Sequence, residues 1–412
     1  MFVIASKRST HMYLITNVRI ITEESILTGY DLVVKDDRIL KIIPEGGDGL
    51  ANDLQVINGA GGYVTPGFID IHSDYIETMA APRPTCLMDF DMSVRETEKQ
   101  LVSHGITTMF HSLSLFKDSE YKRKPIRDPE NVRKFIDLID RTHRGQHLIR
   151  HRFHARFEID NFKEVDRLKG YIKEKKVQLL SFMDHSPGQG QYRNLKVYSD
   201  MVKSYNDVDD ESIVKMIARH QAKEKITIDG MKEIAELARE NGIAIASHDD
   251  DTVDKLDLVQ SLGATISEFP ITMEIAQKAR EKGLFTMAGA PNVLLGGSHS
   301  GNLSAVEAII ANNIDILCSD YYPPALLHAV FTLHEKYGLN LVDVFKLVSL
   351  NPAKAVDMDR EIGSIKEGKK ADLLIIETIE NDFPVITAVL VNGTLMQRTH
   401  YPKVPGRKDS RI

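Results

Sequence analysis

Tryptophan is absent from the 412 residues, and cysteine occurs only at Cys86 and Cys318. Two thiols so far apart cannot build a disulfide framework, and such sparse usage points to a reducing compartment. No apolar run approaches the roughly 18 residues that span a bilayer. The N-terminal FVIA patch is shorter than the roughly 7–15-residue core of a signal peptide. A basic excess is lacking too: 52 Lys and Arg stand against 59 Asp and Glu, a net charge of −7. That balance argues against general nucleic-acid binding, while leaving room for a local basic pocket that takes an anionic small molecule. The expected address is the cytoplasm, with neither membrane nor nucleic acid as partner. What is present, 42% apolar and 27% charged residues, suits a globular chain with one large core and a smaller companion domain.

Both ends of the chain read as short strands. MYLITNVRII, SILTGYDLVVKDDRILKII and LQVINGAGGYV carry β-branched runs broken by Asp-Asp and Gly pairs, and KKADLLIIETI and DFPVITAVLVNGTLMQR repeat the style around an Asn392-Gly393 turn. The termini are therefore expected to share one small β-sandwich, from residues 1–64 and 362–412. Between them, over 65–361, strands alternate with helices. TPGFIDIH, TTMFHSLSL, HRFHARFEI, VQLLSFMDH, GIAIASHDD, TISEFP, LFTMAGAP and IDILCSDY alternate with stretches such as SVRETEKQLVSHG and DGMKEIAELARENG. That alternation predicts a parallel α/β unit, and a (β/α)8 barrel of TIM type fits its size. A doubly wound sheet is the rival, but no glycine fingerprint follows the first strand. GSIKEGKK has the spacing of a phosphate-binding loop, yet it lacks Ser or Thr after the lysine and leads into a strand, so a turn is expected there.

Polar residues gather where the apolar strands stop. His72 and Asp74 are two apart, so in a strand they point the same way. Asp184-His185, His248-Asp249 and Asp320 end three further strands. Imidazole and carboxylate suit Zn, Mn or Fe, and barrel active sites lie at the C-terminal strand ends; helix capping by the aspartates is the alternative. In RHRFHARFEI, Arg150, Arg152, His154, Arg156 and Glu158 share one face. Inside a barrel those charges require partners, so Arg156 is a candidate anion binder and Glu158 a candidate metal ligand, with structural ion pairing as the rival. Arg83, between prolines, and Ser298, His299 and Asn302, in a Gly- and Ser-rich loop, are candidate phosphate contacts. His104, His111, His143, His147 and His151 lack such placement and read as packed or surface residues.

Taken together, these segments resemble the amidohydrolase superfamily over nearly the whole chain. TPGFIDIHSD is similar to its first-strand motif and SIKEGKKADLLII to its C-terminal one. HSDYIE, APRPT, MDHSPGQGQYR, ASHDD, GAPNVLLGGSHSGN and SDYYPPALL further resemble the diphosphatase family of phosphonate catabolism. The resemblance implies a barrel beside a terminal β-sandwich and one or two divalent ions (Zn, Mn or Fe) at its mouth. It implies His72, Asp74, Glu158, His185, His248 and Asp320 as ligands, with Asp320 as catalytic base. Arg83, Arg156, Asp184, Asp249, Ser298, His299 and Asn302 are then expected around the substrate. The reaction implied is hydrolysis of α-D-ribose 1-methylphosphonate 5-triphosphate to the 5-phosphate and diphosphate. An amide-hydrolysing or deaminating activity at the same centre is the alternative, and a barrel without catalysis a further one. Tyr75 and His111 stand where that family often has Asn and Asp, which leaves the substrate open. A homo-oligomer is possible.

Overall fold

Period-two burial shapes the terminal region. In Met12–Thr16, Tyr13 and Ile15 are buried while their neighbours are partly exposed, so one face seeks a core. The computed structural model describes residues 11–47, 54–83, 85–115, 125–190, 195–196, 198–199, 203, 209–297 and 302–402. One sheet runs in the order Arg38–Pro44, Tyr30–Lys35, Met12–Thr16, Gln55–Asn58. A second mixes both chain ends, in the order Thr394–Arg398, Phe383–Val391, Leu373–Ile379, Tyr63–Pro66, Arg19–Ile21, Ile26–Leu27. Ile15, Leu32, Val34 and Ile57 of the first meet Ile20, Val64, Leu373 and Leu390 of the second in one core, which makes a β-sandwich of the two termini. The hairpin turn holds Asn392 at φ 48° and Gly393 at φ 69°, the left-handed pair that a two-residue hairpin needs. GSIKEGKK is a turn as expected, tied to the sandwich by Gly368 N donating to Ile39 O at 2.9 Å.

The eight apolar runs of the middle region form eight consecutive parallel strands. They are Phe68–Ser73, Ile106–Leu115, Arg150–Glu158, Leu179–Met183, Ala244–His248, Ile266–Glu268, Phe285–Gly289 and Ile316–Cys318. Most of their residues are buried, because helices cover the outside of a parallel barrel. The first and eighth strands close the ring just past the last strand. Asp320 N donates to His72 O at 3.1 Å and Asp74 N to Asp320 O at 2.9 Å. Below that seam the buried Asp70 accepts from Ser319 N at 3.2 Å.

The third strand shows how sequence period becomes radial position. Phe153, Ala155 and Phe157 pack outward with Phe135, Ile136 and Ile139 of the helix Pro129–Arg144. Alternation turns His154, Arg156 and Glu158 inward. At the strand's start Arg150 forms a buried, bidentate pair with Asp372 of the sandwich strand region, and Arg152 donates to His143 at 2.8 Å. Both arginines at the start of the strand are thus taken by neighbouring side chains rather than by the mouth. The helices after the strands are capped by residues other than the site aspartates: Asp89 accepts from Met92 N at 2.8 Å and Thr252 from Lys255 N at 3.2 Å. Asp74 does precede a helix, Tyr75–Ala80, but its side chain makes no capping bond. No helix among the described residues is long and apolar enough to cross a membrane.

Candidate metal centre

Strand ends bring two sets of donors together at the C-terminal end of the barrel. His185, His248 and Asp249 form one, with ligand atoms within 4.8 Å of one another, and His72, His154 and Glu268 form the other. In the first set, His248 Nδ1 lies 2.9 Å from Asp249 Oδ2. Glu158, at the end of the third strand, joins it through a 2.5 Å contact with His185 Nδ1. Burial tends to discharge His185, but the Glu158 carboxylate outweighs it and raises the imidazole's pKa. His248 goes the other way: burial pulls it down to about 4 despite Asp249, so its nitrogens are neutral donors at pH 7.

Backbone strain accompanies the site. Asp249, Phe269 and Asp320, each just past a barrel strand, have φ of 52°, 54° and 58°. Left-handed backbone is uncommon outside glycine and rarer still for a bulky residue. Phe269 spends that strain on packing: its ring meets His72 edge-on at 4.9 Å between centroids and His248 at 5.3 Å. Asp249 is held by its own N donating to Glu268 O at 2.9 Å and by Lys255 Nζ donating to its carbonyl at 3.0 Å. A Cβ added to Gly190 would stand 2.9 Å from Asp249 Cβ, so only glycine lets that loop close on the site.

The expected residues divide. His72, Glu158, His185, His248 and Asp249 come together as described. Asp320 is partly buried, and loss of solvation first, then the Asp74 carboxylate, push its pKa up to about 7, with Arg156 opposing. Arg156 reaches the middle of the site, its Nη2 3.4 Å from His248 Nε2 and its Nε buried without a partner. Asp74 is in neither donor set: its Oδ2 accepts from Arg127 Nη2 at 3.4 Å, and Arg127 also grips Glu77 at 2.8 and 3.0 Å. Asp184 pairs with Lys225 at 2.7 Å. Arg83 is exposed in a turn closed by Cys86 N donating to its carbonyl at 3.0 Å. Asn302 is partly buried in the loop before the helix Ala305–Ile310, and Ser298 and His299 lie outside the described residues. Two contributors escaped the sequence reading as site residues, His154 and Glu268. Glu268 had a signal of the kind used elsewhere, a carboxylate closing the apolar run TISEFP, and His154 was visible only as one member of a charged strand face.

These donors fit a divalent ion. Imidazoles alternate with carboxylates, the combination that transition metals favour, and Glu268 Oε2 is buried with no hydrogen-bond partner, a costly state for a carboxylate oxygen unless a cation satisfies it.

Residues 63–396 match the Amidohydrolase family profile. The chain belongs to the amidohydrolase family. It is 32% identical over 376 residues to an alpha-D-ribose 1-methylphosphonate 5-triphosphate diphosphatase of Escherichia coli (strain K12), across 89% of this chain and 96% of that protein. It is 24% identical to an imidazolonepropionase of Fusobacterium nucleatum, over 85% of each chain. Among solved structures, N-acetylglucosamine-6-phosphate deacetylase from Pasteurella multocida superposes with a TM-score of 0.61 at 14% identity, over 93% of this chain and 99% of that one. That last likeness speaks to the fold alone. As an amidohydrolase the protein is a hydrolase, of a superfamily that typically works with a divalent metal, and its donor sets lie where that chemistry belongs.

Proposed function

We propose that this amidohydrolase cleaves the α,β-phosphoanhydride of α-D-ribose 1-methylphosphonate 5-triphosphate, yielding the 5-phosphate and diphosphate. The observation that carries the reading is Arg156, a guanidinium among the donor groups, 3.4 Å from His248. The buried Nε of Arg156 has no hydrogen-bond partner, and a polyphosphate oxygen is a charged acceptor for such a guanidinium; a neutral cyclic amide offers only an uncharged one. The 32% identity across nearly all of the E. coli diphosphatase supports the same substrate class.

His185, His248, Asp249 and Glu158 would hold a divalent ion, which acidifies water and polarises a phosphoryl oxygen when bound. Asp320 is fixed by hydrogen bonds of its own N and O to the first strand, so its carboxylate presents a preset direction. With a pKa near 7 it can take a proton at neutral pH. As a water oxygen bonds to the α-phosphorus, Asp320 accepts the water's proton, the bridging anhydride bond breaks, and diphosphate leaves with the electron pair. Arg156 offsets the charge that grows on the leaving oxygen.

The rival reading, ring opening of a cyclic amide, draws on the 24% likeness to an imidazolonepropionase. Phosphorus NMR of the metal-supplied enzyme with the triphosphate separates them. Diphosphate and the 5-phosphate are expected as the first products. Stepwise loss of orthophosphate, or turnover only of imidazolone or amide substrates, rejects the proposal.

A further inference from the structure

Three consecutive aspartates follow His248, and each has a different task. Asp249 turns its carboxylate to His248, with Oδ2 2.9 Å from Nδ1. Asp250, fully buried, fastens the fifth barrel strand to the sixth: its Oδ2 accepts from both Ser247 Oγ and Ser267 Oγ, which the strand register sets side by side. The Asp250 carbonyl accepts from Ile271 N at 2.9 Å. Asp251 Oδ2 accepts from Gly190 N at 3.0 Å and so ties down the loop that carries His185. Contacts that place His185, His248 and Asp249 thus meet at one corner, where Asp249 has φ 52°.

Lys255 faces that corner from the first turn of the helix Val253–Ser261, where an ammonium opposes the helix dipole. A lysine so placed ordinarily extends into water. This side chain is only 20% exposed, and its Nζ donates to the carbonyls of His248 at 2.7 Å and Asp249 at 3.0 Å. Asp250 Oδ1, at 3.9 Å, is beyond hydrogen-bond range, so backbone rather than the neighbouring carboxylate engages the ammonium. Lys255 N in turn donates to the Thr252 cap at 3.2 Å, which fixes the root of the side chain. Two charge-assisted bonds to successive carbonyls grip the peptides on both sides of the Asp249 side chain. Left-handed backbone at a residue other than glycine persists only where its surroundings hold it there. A lysine that runs against its own helix dipole while bracing such a corner is the kind of local conflict that functional sites carry.

We propose that Lys255 is a positioning residue for the mouth of the barrel. It holds the Asp249 corner in its left-handed form, and through the backbone it keeps the His248 imidazole and the Asp249 carboxylate aimed at one point. This rests on the reading of the mouth as a metal centre and is independent of the substrate.

Manganese(II) binding, measured without substrate, tests it. Chelator-stripped full-length protein is titrated with manganese(II), the free ion being read by EPR, for the wild type, Lys255→Met and Lys255→Arg. Methionine keeps most of the stem and removes the donor, whereas arginine keeps the charge and the N–H groups. Losing a group that orients metal ligands weakens binding by about 10–100-fold. Lys255→Met should therefore bind at least about tenfold more weakly than the wild type, and Lys255→Arg should recover most of that loss. A lysine that served stability alone would shift the urea midpoint and leave the affinity of the folded protein unchanged. A folded Lys255→Met that binds within tenfold of the wild type overturns the proposal, as does an arginine variant that binds no more tightly than the methionine one. If circular dichroism shows that Lys255→Met does not fold, Lys255→Gln takes its place under the same limits. Failure of both to fold assigns Lys255 to the fold rather than to the site and overturns the proposal. A wild type that takes up no manganese overturns the metal reading of the mouth and this inference with it, whereas normal uptake by wild type and variants alike removes only the role of Lys255.

Discussion

Removal of Asp372 tests how the terminal sandwich is locked to the barrel. Its carboxylate pairs with both terminal nitrogens of Arg150, the Nη2 contact at 3.2 Å, and accepts from Asn392 N at 2.8 Å. Side-chain exposure is 6% for Arg150 and 3% for Asp372, so neither charge can fall back on water. Asp372→Leu therefore strands a buried guanidinium, and Arg150→Met a buried carboxylate; each should cost about 3–5 kcal/mol. The double variant removes both charges and leaves chiefly the Asn392 amide unpaired, about 1–3 kcal/mol. The single costs then exceed the double by several kcal/mol, well beyond the roughly 0.5 kcal/mol scatter of independent sites. Urea unfolding followed by far-UV circular dichroism is the assay, since the chain has no tryptophan. Turnover by the folded variants should stay within about twofold, because Arg150 is about 26 Å along its strand from Glu158. Single-variant costs that simply add in the double would refute the argument that the pair, rather than general packing, joins the two units.

Three other outcomes are expected. Asp320→Asn should lower kcat at least about 100-fold with an unchanged circular dichroism spectrum; turnover near wild type would end its role as base. Arg156→Met should lower kcat/KM for the triphosphate by about 10–1,000-fold while bound metal, measured by elemental analysis, is retained. Acid should weaken the fold through Glu98. Burial works to raise its pKa, but hydrogen bonds from His151, Leu148 N and Arg95 outweigh it and bring it to about 2, below the ordinary 4.5. A folded-state pKa below the unfolded one gives stability that is complete above about pH 4.5 and lost as pH falls toward 2. The loss should be on the order of 1–3 kcal/mol, and Glu98→Gln should flatten that part of the stability–pH curve; an unchanged curve would refute the assignment.

Much of the architecture is local information. A strand's two-residue period sorts Phe153 and Phe157 from Arg156 and Glu158 without reference to the rest of the chain, and an apolar run ending in His-Asp marks its own C-terminal end. That is why the eight strands and the terminal sheets could be read in advance, and why His72, Glu158, His185 and His248, which the fold brings together, stood among the candidates. Convergence was not local. Glu268 stands 196 residues from His72 in sequence and meets it only because the sixth and first strands share the barrel interior. Asp74, the same kind of residue as the donor carboxylates and two positions from His72, turns instead to Arg127, 53 residues on. Residue type and spacing determined which side chains could reach the mouth. Only the closed ring, with its registers and its left-handed corners at Asp249, Phe269 and Asp320, decided which carboxylates face the histidines and which are taken by arginine or lysine, because those partners are brought within hydrogen-bond range by contacts far apart in the chain.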